Sequence, residues 1–532
     1  MRSCLVWRWR TPMKVNPILL EVFKNRFSSI SEEMGVTLTR TSFSPNIKER
    51  RDLSCAVFDH DGAMIAQAAH IPVHLGSMPM SVKEAMKNVV WQEGDMVILN
   101  DPFKGGTHLP DITLVAPVFA GEPTPSFFVA NRAHHADVGG MSSGSMPVST
   151  SIFQEGIIIP PLKLVERGSI DRKVLALLLN NVRTPLEREG DFAAQIMANI
   201  TGVRRTEELV GKYGLDRACF YAESLMDYAE RITRKTIMEI PDGSYRFKDF
   251  MDDDGHSHRK VCIRVNVTIQ RDGATLDFRS SDPQVKGSIN AVHAITLSAV
   301  LYVFRSLMAE DIPTNAGCLR PIKVLTEKGT ILDAQFPAAV AGGNVETSQR
   351  IVDVVLGALS KALPLRIPAA SQGSMNNVTI GGTDPRKGRP FAYYETIGGG
   401  MGATAKDDGE SAVHCHMTNT LNTPIEALEY SYPFVVTEYS IRRGTGGTGE
   451  HRGGDGIVRE VELLSDADVT VLSERRKISP YGLFGGAPGA VGRNLVIRQG
   501  RVVAKGGKFS VNLKKGDRLR IETPGGGGYG KN

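Results

Sequence analysis

Two short segments of the chain contain the same spacing of histidine and aspartate. The stretch THLPD places His108 three residues before Asp111, and HHAD places His134 three residues before Asp137, with His135 between them. Imidazole nitrogens and carboxylate oxygens together form ligand sets that hold zinc, manganese or ferrous iron in proteins. The two segments therefore predict a site for one divalent metal ion.

An apolar β-hairpin is predicted between the two segments. Residues 112–119 (ITLVAPVF) and 126–131 (SFFVAN) have the composition of buried strands, and residues 120–125 (AGEPTP) form a loop rich in turn residues. If the strands pair symmetrically about this loop, Asp111 faces His134 at the open end of the hairpin. Facing side chains of an antiparallel pair lie about 5 Å apart, which is close enough to share one ion.

The same pairing extends the candidate ligand set. His108 faces Asp137 beyond the first pair, so that two histidines and two carboxylates converge. A slip of one residue replaces His134 by His135, and both are candidate ligands. Either segment alone is also typical of hydrogen-bonded turn residues. Their occurrence at both ends of one hairpin, each beside a pair of glycines, favours the metal site.

Four further residues are candidates for catalytic roles. Asp101 lies seven residues before His108 and is predicted to accept a hydrogen bond from a ligand histidine. Glu395 precedes three glycines in YYETIGGG and is a candidate general base. His414 and His416 alternate in HCHMTN, so a strand there would point both to one face. For Glu395 and the two histidines, the alternative is a surface or structural role.

Helical and strand patterns alternate along the chain. A capping pattern at Ser81 predicts a helix over 81–90, and residues 171–240 are mostly helical by period. The segment 260–281 alternates as a hairpin, and apolar helices are predicted near 291–309 and 347–363. The last hundred or so residues contain short strands and many glycines. These patterns predict an α+β protein rather than a regular α/β repeat.

The order of these elements predicts a large composite protein. An N-terminal mixed unit, residues 13–240, contains the metal hairpin, and a strand- and glycine-rich unit follows over residues 241–532. A well-formed helix pattern begins after Met13, with a proline near its start and apolar residues at helical spacing. Residues 1–12 are therefore predicted to be an extension that is not part of the core.

Composition excludes several classes of function. The chain has 532 residues and a net charge of +5, and its most basic stretch, SERRKIS, is short and contains an acid. Nucleic-acid binding is therefore not predicted. No apolar run reaches the roughly 20 residues of a membrane helix, so no membrane attachment is predicted. The six cysteines are scattered without CxxC spacing, which indicates a reducing compartment and predicts a cytoplasmic location.

Nucleotide-binding loops are also not evident. The chain contains no G-x-x-x-x-G-K-[ST] pattern, so a phosphate-binding loop of that type is not predicted. One G-x-G-x-x-G occurs in GTGGTG (444–449), but the polar stretch EHRGGDG follows it instead of an apolar helix. This loop is predicted to support the fold or a subunit contact.

Long motifs along the chain resemble the hydantoinase B/oxoprolinase family, from Met13 onward. This family includes a subunit of ATP-dependent N-methylhydantoinases, the C-terminal part of 5-oxoprolinases, and the large subunit of acetone and acetophenone carboxylases. The resemblance implies that His108, Asp111 and either His134 or His135 hold a divalent metal. The motifs are LNDPFKGGTHLPDITLVAPVF, NRAHHADVGGMSSGSMP, IPTNAGCLRPIKV, PAAVAGGNVETSQRIVDVVLGAL, HCHMTNTLNTPIEALE and TPGGGGYG.

The resemblance also implies a reaction and a partner. In the family, ATP phosphorylates a substrate oxygen on a hydantoinase A-like subunit, and the activated small molecule reacts at the metal site. The chain is accordingly expected to be a catalytic subunit of a cyclic-amide hydrolase within a hetero-oligomer, with ATP bound by the partner. The large subunit of an ATP-dependent ketone carboxylase is the second expectation. A non-catalytic scaffold for the ATP-binding partner is the third.

Overall fold

The computed structural model describes residues 13–68, 71–87, 89–308 and 312–531. Residues 1–12, which the sequence predicts to be an extension, lie outside the described residues. Helices and sheets occur together along the described chain, so the predicted α+β class is confirmed. Among the described residues, every helix is too short or too polar to span a lipid bilayer.

The helices of the described residues are distributed from the N-terminal region to residue 431. Short 3₁₀ turns occur at Pro72–His74, Pro102–Lys104, Ile152–Gln154 and Ala316–Leu319, and a π-helical turn occurs at Gly343–Thr347. The α-helices are α1 (Pro17–Thr41), α2 (Pro45–Lys48), α3 (Met78–Lys87), α4 (Arg172–Leu179), α5 (Pro185–Tyr213), α6 (Leu215–Met238), α7 (His293–Ser306), α8 (Ser348–Leu359) and α9 (Ile425–Ser431).

The strands of the described residues form four sheets. The first has the order β2-β1-β5-β4-β3-β6-β7, with β1 (Leu53–Asp59), β2 (Met64–Gln67), β3 (Met96–Leu99), β4 (Asp111–Val118), β5 (Phe127–His134), β6 (Leu162–Glu166) and β7 (Ser169–Ile170). The second has the order β11-β10-β9-β8, with β8 (Gly243–Met251), β9 (Val261–Gln270), β10 (Gly273–Asp277) and β11 (Ile322–Leu325).

The two remaining sheets lie in the C-terminal part of the chain. One has the order β13-β12-β16-β19, and the other has the order β14-β15-β20-β17-β18. Their strands are β12 (Asn377–Asp384), β13 (Arg389–Glu395), β14 (Phe434–Arg442), β15 (Gly456–Leu463), β16 (Ala467–Leu472), β17 (Arg493–Arg498), β18 (Arg501–Lys505), β19 (Lys508–Leu513) and β20 (Arg518–Glu522).

The predicted hairpin, β4 and β5, lies in the middle of the seven-stranded sheet. Every residue of both strands is buried. Helices α1 and α5 pack on one face of this sheet, and α3 packs on the other. A strand covered on both faces cannot alternate apolar and polar residues, which explains the nearly continuous apolar run of ITLVAPVF.

Helix α3 begins earlier than the sequence pattern predicts. Its first residue is Met78, whereas Ser81 was expected to cap it. The Ser81 hydroxyl instead donates a 2.8 Å hydrogen bond to the carbonyl of Gly105 and accepts one from Arg132 Nη2 at 2.7 Å. The side chain of Ser81 therefore connects the helix to the loop that leads to the β4–β5 hairpin.

The main hydrophobic core contains residues from both sides of the predicted division at residue 240. Its buried members extend from Phe23 to Leu472, while a second cluster lies between Val378 and Ile521. The division of the chain into two units, residues 13–240 and 241–532, therefore stays a prediction.

The glycine-rich C-terminal segments pack backbone against backbone. The Gly526 N–H donates to the Gly454 carbonyl at 2.9 Å, and the Gly447 N–H donates to the Gly526 carbonyl at 2.8 Å. A Cβ atom at Gly446 would lie only 1.7 Å from the carbonyl oxygen of Gly453. Neighbouring backbone atoms thus fill the space around the GTGGTG loop, which agrees with the predicted role in supporting the fold.

Candidate metal centre

The candidate centre forms where the β4–β5 hairpin opens. Asp111 is the first residue of β4 and pairs directly with His134, the last residue of β5, so the predicted register is confirmed. The loop before β4 turns His108 back towards them, and the Asp111 N–H donates to the His108 carbonyl at 3.1 Å. Asn100 holds this loop, because its amide donates to the Leu109 carbonyl at 2.8 Å.

Three potential ligand atoms converge at this point. His108 Nε2, Asp111 Oδ1 and His134 Nδ1 lie between 3.1 and 3.2 Å from one another. All three side chains are at most 2% exposed. An ion with bonds of about 2.0–2.2 Å requires neighbouring ligand atoms to be roughly 3–3.4 Å apart. The three atoms therefore have the spacing that one divalent ion requires.

Hydrogen bonding orients His108 with a lone pair towards the cluster. Its Nδ1 lies 3.2 Å from the carbonyl oxygen of Ala341, which can only accept, so Nδ1 carries a proton and Nε2 is the nitrogen that can coordinate when the ring is neutral. Glu155 holds the Ala341 segment through the N–H groups of Val340 and Ala341, at 2.8 and 3.0 Å. Burial raises the pKa of Glu155 to about 7.

Asp101 does not have the role predicted for it. Its Oδ1 accepts a 3.0 Å hydrogen bond from the Phe103 N–H and so caps the turn at Pro102–Lys104. The partner of His108 is the Ala341 carbonyl instead, more than 200 residues away in the sequence. Sequence proximity to His108 was a poor guide because the Asp101 carboxylate caps its own turn instead.

The second oxygen of Asp111 is also bound. Thr107 Oγ1 donates to Oδ2, and His74 Nε2 lies 3.1 Å from the same atom. Ser54 Oγ is 2.9 Å from the other ring nitrogen of His74 and fixes the ring orientation. Burial alone raises the pKa of Asp111, but His108 and His74 outweigh it and hold this pKa well below the usual value. The sequence reading missed His74.

The ring of His134 is held by aromatic stacking. It stacks on the Tyr394 ring with 4.4 Å between centroids, and the Arg50 guanidinium lies 5.1 Å from the centroid of the same tyrosine. The Tyr394 hydroxyl donates to Asn377 Oδ1 at 2.9 Å. Burial lowers the pKa of His134, which favours the neutral imidazole that a metal requires. Its Nε2 is buried without a hydrogen-bond partner among the described residues.

His135 points away from the cluster. Its Nε2 lies 2.9 Å from Gln195 Oε1, and its ring packs 4.8 Å from that of Phe192 on α5. Burial lowers the pKa of His135 to about 4, so the ring is neutral. Successive side chains of an extended chain point to opposite faces, which separates His135 from His134. Of the two alternatives, only His134 lies with His108 and Asp111.

Asp137 also lies outside the cluster, contrary to the prediction that it faces His108. Its carboxylate accepts a 2.9 Å hydrogen bond from Arg183 Nη1 and a second from the Arg183 N–H. The Gly139 N–H donates to it at 3.3 Å. Strand β5 ends at His134, so the symmetric pairing does not continue as far as Asp137.

Glu395 is not placed to act as a general base at this centre. Its Oε2 forms a 2.9 Å ion pair with Arg459 Nε, and its Oε1 accepts from the Thr423 N–H at 3.0 Å. The residue before it, Tyr394, is the one that contacts His134. Alternation along β13 therefore places the tyrosine at the centre and the glutamate on the other face.

His414 and His416 do not share a face, because the segment is a turn and not a strand. His416 has φ of +59°, and its Nδ1 lies 3.3 Å from the hydroxyl of Tyr302. His414 Nδ1 lies 3.4 Å from Thr418 Oγ1, and burial lowers the pKa of His414 to about 4. Neither histidine belongs to the metal cluster.

A small cavity adjoins the cluster. Its volume is about 20 Å³, close to the space that one water molecule occupies. Its polar lining consists of Asp52, His74, Asp111, His134, Asn344, Tyr394, Thr396, Thr418 and Thr420.

A buried pair of histidines with an aspartate, at the open end of a hairpin in the middle of a sheet, defines a candidate metal centre in an α+β protein. Residues 16–532 match the model of the hydantoinase B/oxoprolinase family, and the chain belongs to that family. It is 42% identical over 530 residues to a 5-oxoprolinase of Dictyostelium discoideum, covering 97% of this chain. The chain spans only about 40% of the length of that relative.

Two solved structures have the same fold. An ATP-dependent caprolactamase from Pseudomonas jessenii superposes with a TM-score of 0.90 at 32% identity, covering 98% of this chain and 92% of that one. An acetone carboxylase superposes with a TM-score of 0.89 at 20% identity, covering 97% of this chain and 76% of that one. At that identity, the carboxylase establishes likeness of fold alone.

Proposed function

We propose that this chain is the metal-dependent catalytic subunit of an ATP-dependent cyclic-amide hydrolase. The observation that carries the proposal is the convergence of His108, Asp111 and His134 in a chain of the hydantoinase B/oxoprolinase family. The caprolactamase with the same fold is named for a cyclic amide, as is the 5-oxoprolinase relative. Hydantoins, N-methylhydantoins and 5-oxoproline are the proposed substrates.

The donor set fits one divalent ion, with zinc, manganese and ferrous iron as the candidates. Two neutral imidazoles and one carboxylate suit each of these ions. His108 already has the tautomer that frees Nε2, and the pKa of Asp111 keeps its carboxylate ionised. Such an ion supplies Lewis-acid stabilisation for negative charge that develops on a substrate oxygen.

The surrounding residues hold the ligands and exclude water. Ala341 orients His108, His74 and Thr107 orient Asp111, and Tyr394 fixes the ring plane of His134. Because these contacts exist before substrate binds, little reorganisation is needed at the moment of reaction. The three side chains of the cluster are at most 2% exposed, which limits bulk water at the centre and protects an activated substrate from unproductive hydrolysis.

Amide resonance makes the ring carbonyl a poor electrophile, so an activation step precedes ring opening. Transfer of the terminal phosphate of ATP to the carbonyl oxygen makes the ring carbon more electrophilic. Water then adds to this carbon, the carbon–nitrogen bond breaks, and the nitrogen takes up a proton. A second water releases phosphate, so one lactam, one ATP and two waters give the amino acid, ADP and phosphate.

ATP is proposed to bind to a partner resembling hydantoinase A, and not to this chain. The chain contains no phosphate-binding loop of the G-x-x-x-x-G-K-[ST] type, and backbone atoms fill the space around GTGGTG. The whole 5-oxoprolinase relative is more than twice the matched length, which leaves room for an activating portion. A hetero-oligomer in the cytoplasm is therefore proposed. The basis for the compartment is the scattered spacing of the cysteines in the sequence.

The test is an assay of the purified two-subunit complex. Hydantoin, N-methylhydantoin, 5-oxoproline and caprolactam are offered with ATP, and ADP and the ring-opened product are measured together. We expect equal amounts of the two products with at least one cyclic amide. A ketone with bicarbonate is offered in parallel, and turnover with that pair alone would instead support the carboxylase. Full activity of a His108→Ala complex would support the scaffold.

A further inference from the structure

The side chain of Asn344 contacts two of the three proposed ligand residues. Its side-chain Nδ2 is 2.9 Å from His108 Nε2 and 3.3 Å from Asp111 Oδ2. The residue is 4% exposed and also lines the small cavity beside His134. It comes from the π-helical turn Gly343–Thr347, more than 200 residues after the hairpin.

One hydrogen bond of this amide uses a lone pair that an ion would also use. In the neutral ring His108 Nε2 is an acceptor, because Nδ1 donates to the Ala341 carbonyl, and the second partner, Asp111 Oδ2, is an acceptor as well. The amide therefore points its N–H groups into the cluster. Its oxygen, Oδ1, is left buried and without a hydrogen-bond partner among the described residues. Unpaired buried carbonyl oxygens are uncommon in folded proteins.

Binding of an ion would reverse the preferred orientation of the Asn344 amide. The N–H groups of the amide carry partial positive charge, so a cation among His108, Asp111 and His134 would repel them. A half-turn about the Cβ–Cγ bond exchanges the nitrogen and the oxygen of the amide. That rotation turns Oδ1 towards the cation and removes the unpaired oxygen from its buried position.

We propose that Asn344 Oδ1 is a fourth ligand of the divalent ion, in addition to His108, Asp111 and His134. The inference rests on the metal site of the proposed function and extends it. Two oxygen and two imidazole ligands make a set that suits manganese or ferrous iron as well as zinc.

The backbone around Asn344 is built to hold it in place. A Cβ atom at Gly343 would lie 1.9 Å from the Asn290 carbonyl oxygen, so this turn packs directly on neighbouring backbone. The Ser348 hydroxyl donates to the Asn344 carbonyl at 2.6 Å, and the Thr347 hydroxyl donates to the Ile289 carbonyl. π-Helical turns occur frequently at functional sites, where the wider turn directs a side chain inward.

Metal affinity tests the proposal. A ligand role of Asn344 predicts that its removal weakens metal binding, whereas a role as hydrogen-bond donor alone predicts unchanged or tighter binding. The full chain, Asn344→Ala and Asn344→Asp are titrated with Mn²⁺ against a competing chelator. If Asn344 is a ligand, Asn344→Ala binds at least about tenfold more weakly, and Asn344→Asp binds at least as tightly as wild type. If the amide only donates hydrogen bonds, Asn344→Ala binds Mn²⁺ as tightly as wild type or more tightly, and the proposal fails.

Asn315→Ala is the matched control. Asn315 is also fully buried and hydrogen-bonded, to the Leu225 carbonyl and the Gly317 N–H, but it lies outside the metal cluster. Its substitution should leave Mn²⁺ affinity unchanged even if it lowers stability. A comparable loss of affinity in the Asn315 and Asn344 alanine variants would show a general folding effect and overturn the ligand role.

A crystal structure of the Mn²⁺-loaded wild-type chain gives an independent decision if Asn344→Ala does not fold. Oδ1 within about 2.3 Å of the anomalous peak supports the proposal, and both amide atoms beyond about 3 Å overturn it. A wild-type chain that binds no divalent ion overturns the metal site and the fourth ligand together. Binding by the wild type with an unchanged Asn344→Ala affinity overturns the fourth ligand alone.

Discussion

The neighbouring residues His134 and His135 provide a matched pair of substitutions. His134 Nδ1 lies 3.1 Å from Asp111 within the cluster, whereas His135 is hydrogen-bonded to Gln195 and points away from the cluster. Both rings are buried and both lose the same atoms when changed to alanine. His134→Ala should therefore reduce metal affinity, and His135→Ala should reduce stability without affecting the metal.

The size of each effect follows from the contacts. Removing a residue that only hydrogen-bonds to a metal ligand lowers metal affinity about 10–100-fold, which is about 1.4–2.7 kcal/mol of binding free energy. Removing the proposed ligand His134 itself should cost at least as much. His135→Ala leaves Gln195 Oε1 without that contact, which costs about 1–3 kcal/mol. It also opens a cavity beside Phe192, which adds roughly 2 kcal/mol to the loss of unfolding free energy.

Two measurements separate these effects. Metal dissociation constants are obtained by chelator competition, and unfolding free energies are obtained from urea denaturation in excess chelator, so that bound metal does not contribute. His134→Ala loses its stacking on Tyr394, so it should also be destabilised by about 0.5–1.5 kcal/mol. If His135→Ala lowers metal affinity more than His134→Ala does, the assignment of the cluster is wrong.

Three other predictions follow from the packing, the buried charges and the absence of a nucleotide loop. Gly446→Ala should prevent folding, because its Cβ would overlap the Gly453 carbonyl. Gly211→Ala in α5 places its Cβ where no neighbour lies, so it should raise the unfolding free energy by up to about 1 kcal/mol. Thermal melting of the two variants measures both effects. The pKa of Glu155 is raised from 4.5 to about 7, so the folded state keeps a proton that the unfolded state releases, and stability falls as pH rises through this window. In wild type, the unfolding free energy should fall by up to about 3 kcal/mol across this pH window, and Glu155→Gln should not show this fall. If wild type and variant differ in unfolding free energy by the same amount from pH 5 to 8, the raised pKa of Glu155 is contradicted. The isolated chain should hydrolyse no ATP, and clear ATPase activity that co-elutes with pure chain would show that a nucleotide site was overlooked.

Local patterns in the sequence were enough to predict the hairpin and its register. Continuous apolar strands joined by a turn-rich loop pair in one way if the loop is centred, and Asp111 indeed faces His134. The prediction failed at Asp137, because the strand ends at His134 and a neighbouring arginine binds the carboxylate. Symmetric pairing is therefore informative only as far as the strand itself extends.

The residues that surround the ligands could not be predicted from local patterns. His74, Ala341 and Tyr394 come from separate elements, and only the packing of the sheet brings them to the hairpin. Asn344 lay within the motif PAAVAGGNVETSQR that indicated the family, so a signal existed, but spacing alone could not connect it with His108.

Spacing by two residues was misleading where the backbone is not extended. His414 and His416 were expected to share a face, but a left-handed residue at His416 turns the chain. Glu395 was chosen because glycines follow it, whereas its neighbour Tyr394 faces the centre. In both cases the side-chain direction depends on backbone angles that a residue pattern does not specify.

Elemental analysis of the purified chain tests the central claim most directly. Wild type and His108→Ala are prepared without chelator, and divalent metals are measured per chain. The Ala341 contact and the 3.1–3.2 Å spacing to Asp111 and His134 support the proposal that His108 is a ligand, so we expect one ion per wild-type chain and substantially less in the variant, with the fold retained. Equal metal at full occupancy in both proteins, or no metal in the wild type, would contradict a metal centre built on His108.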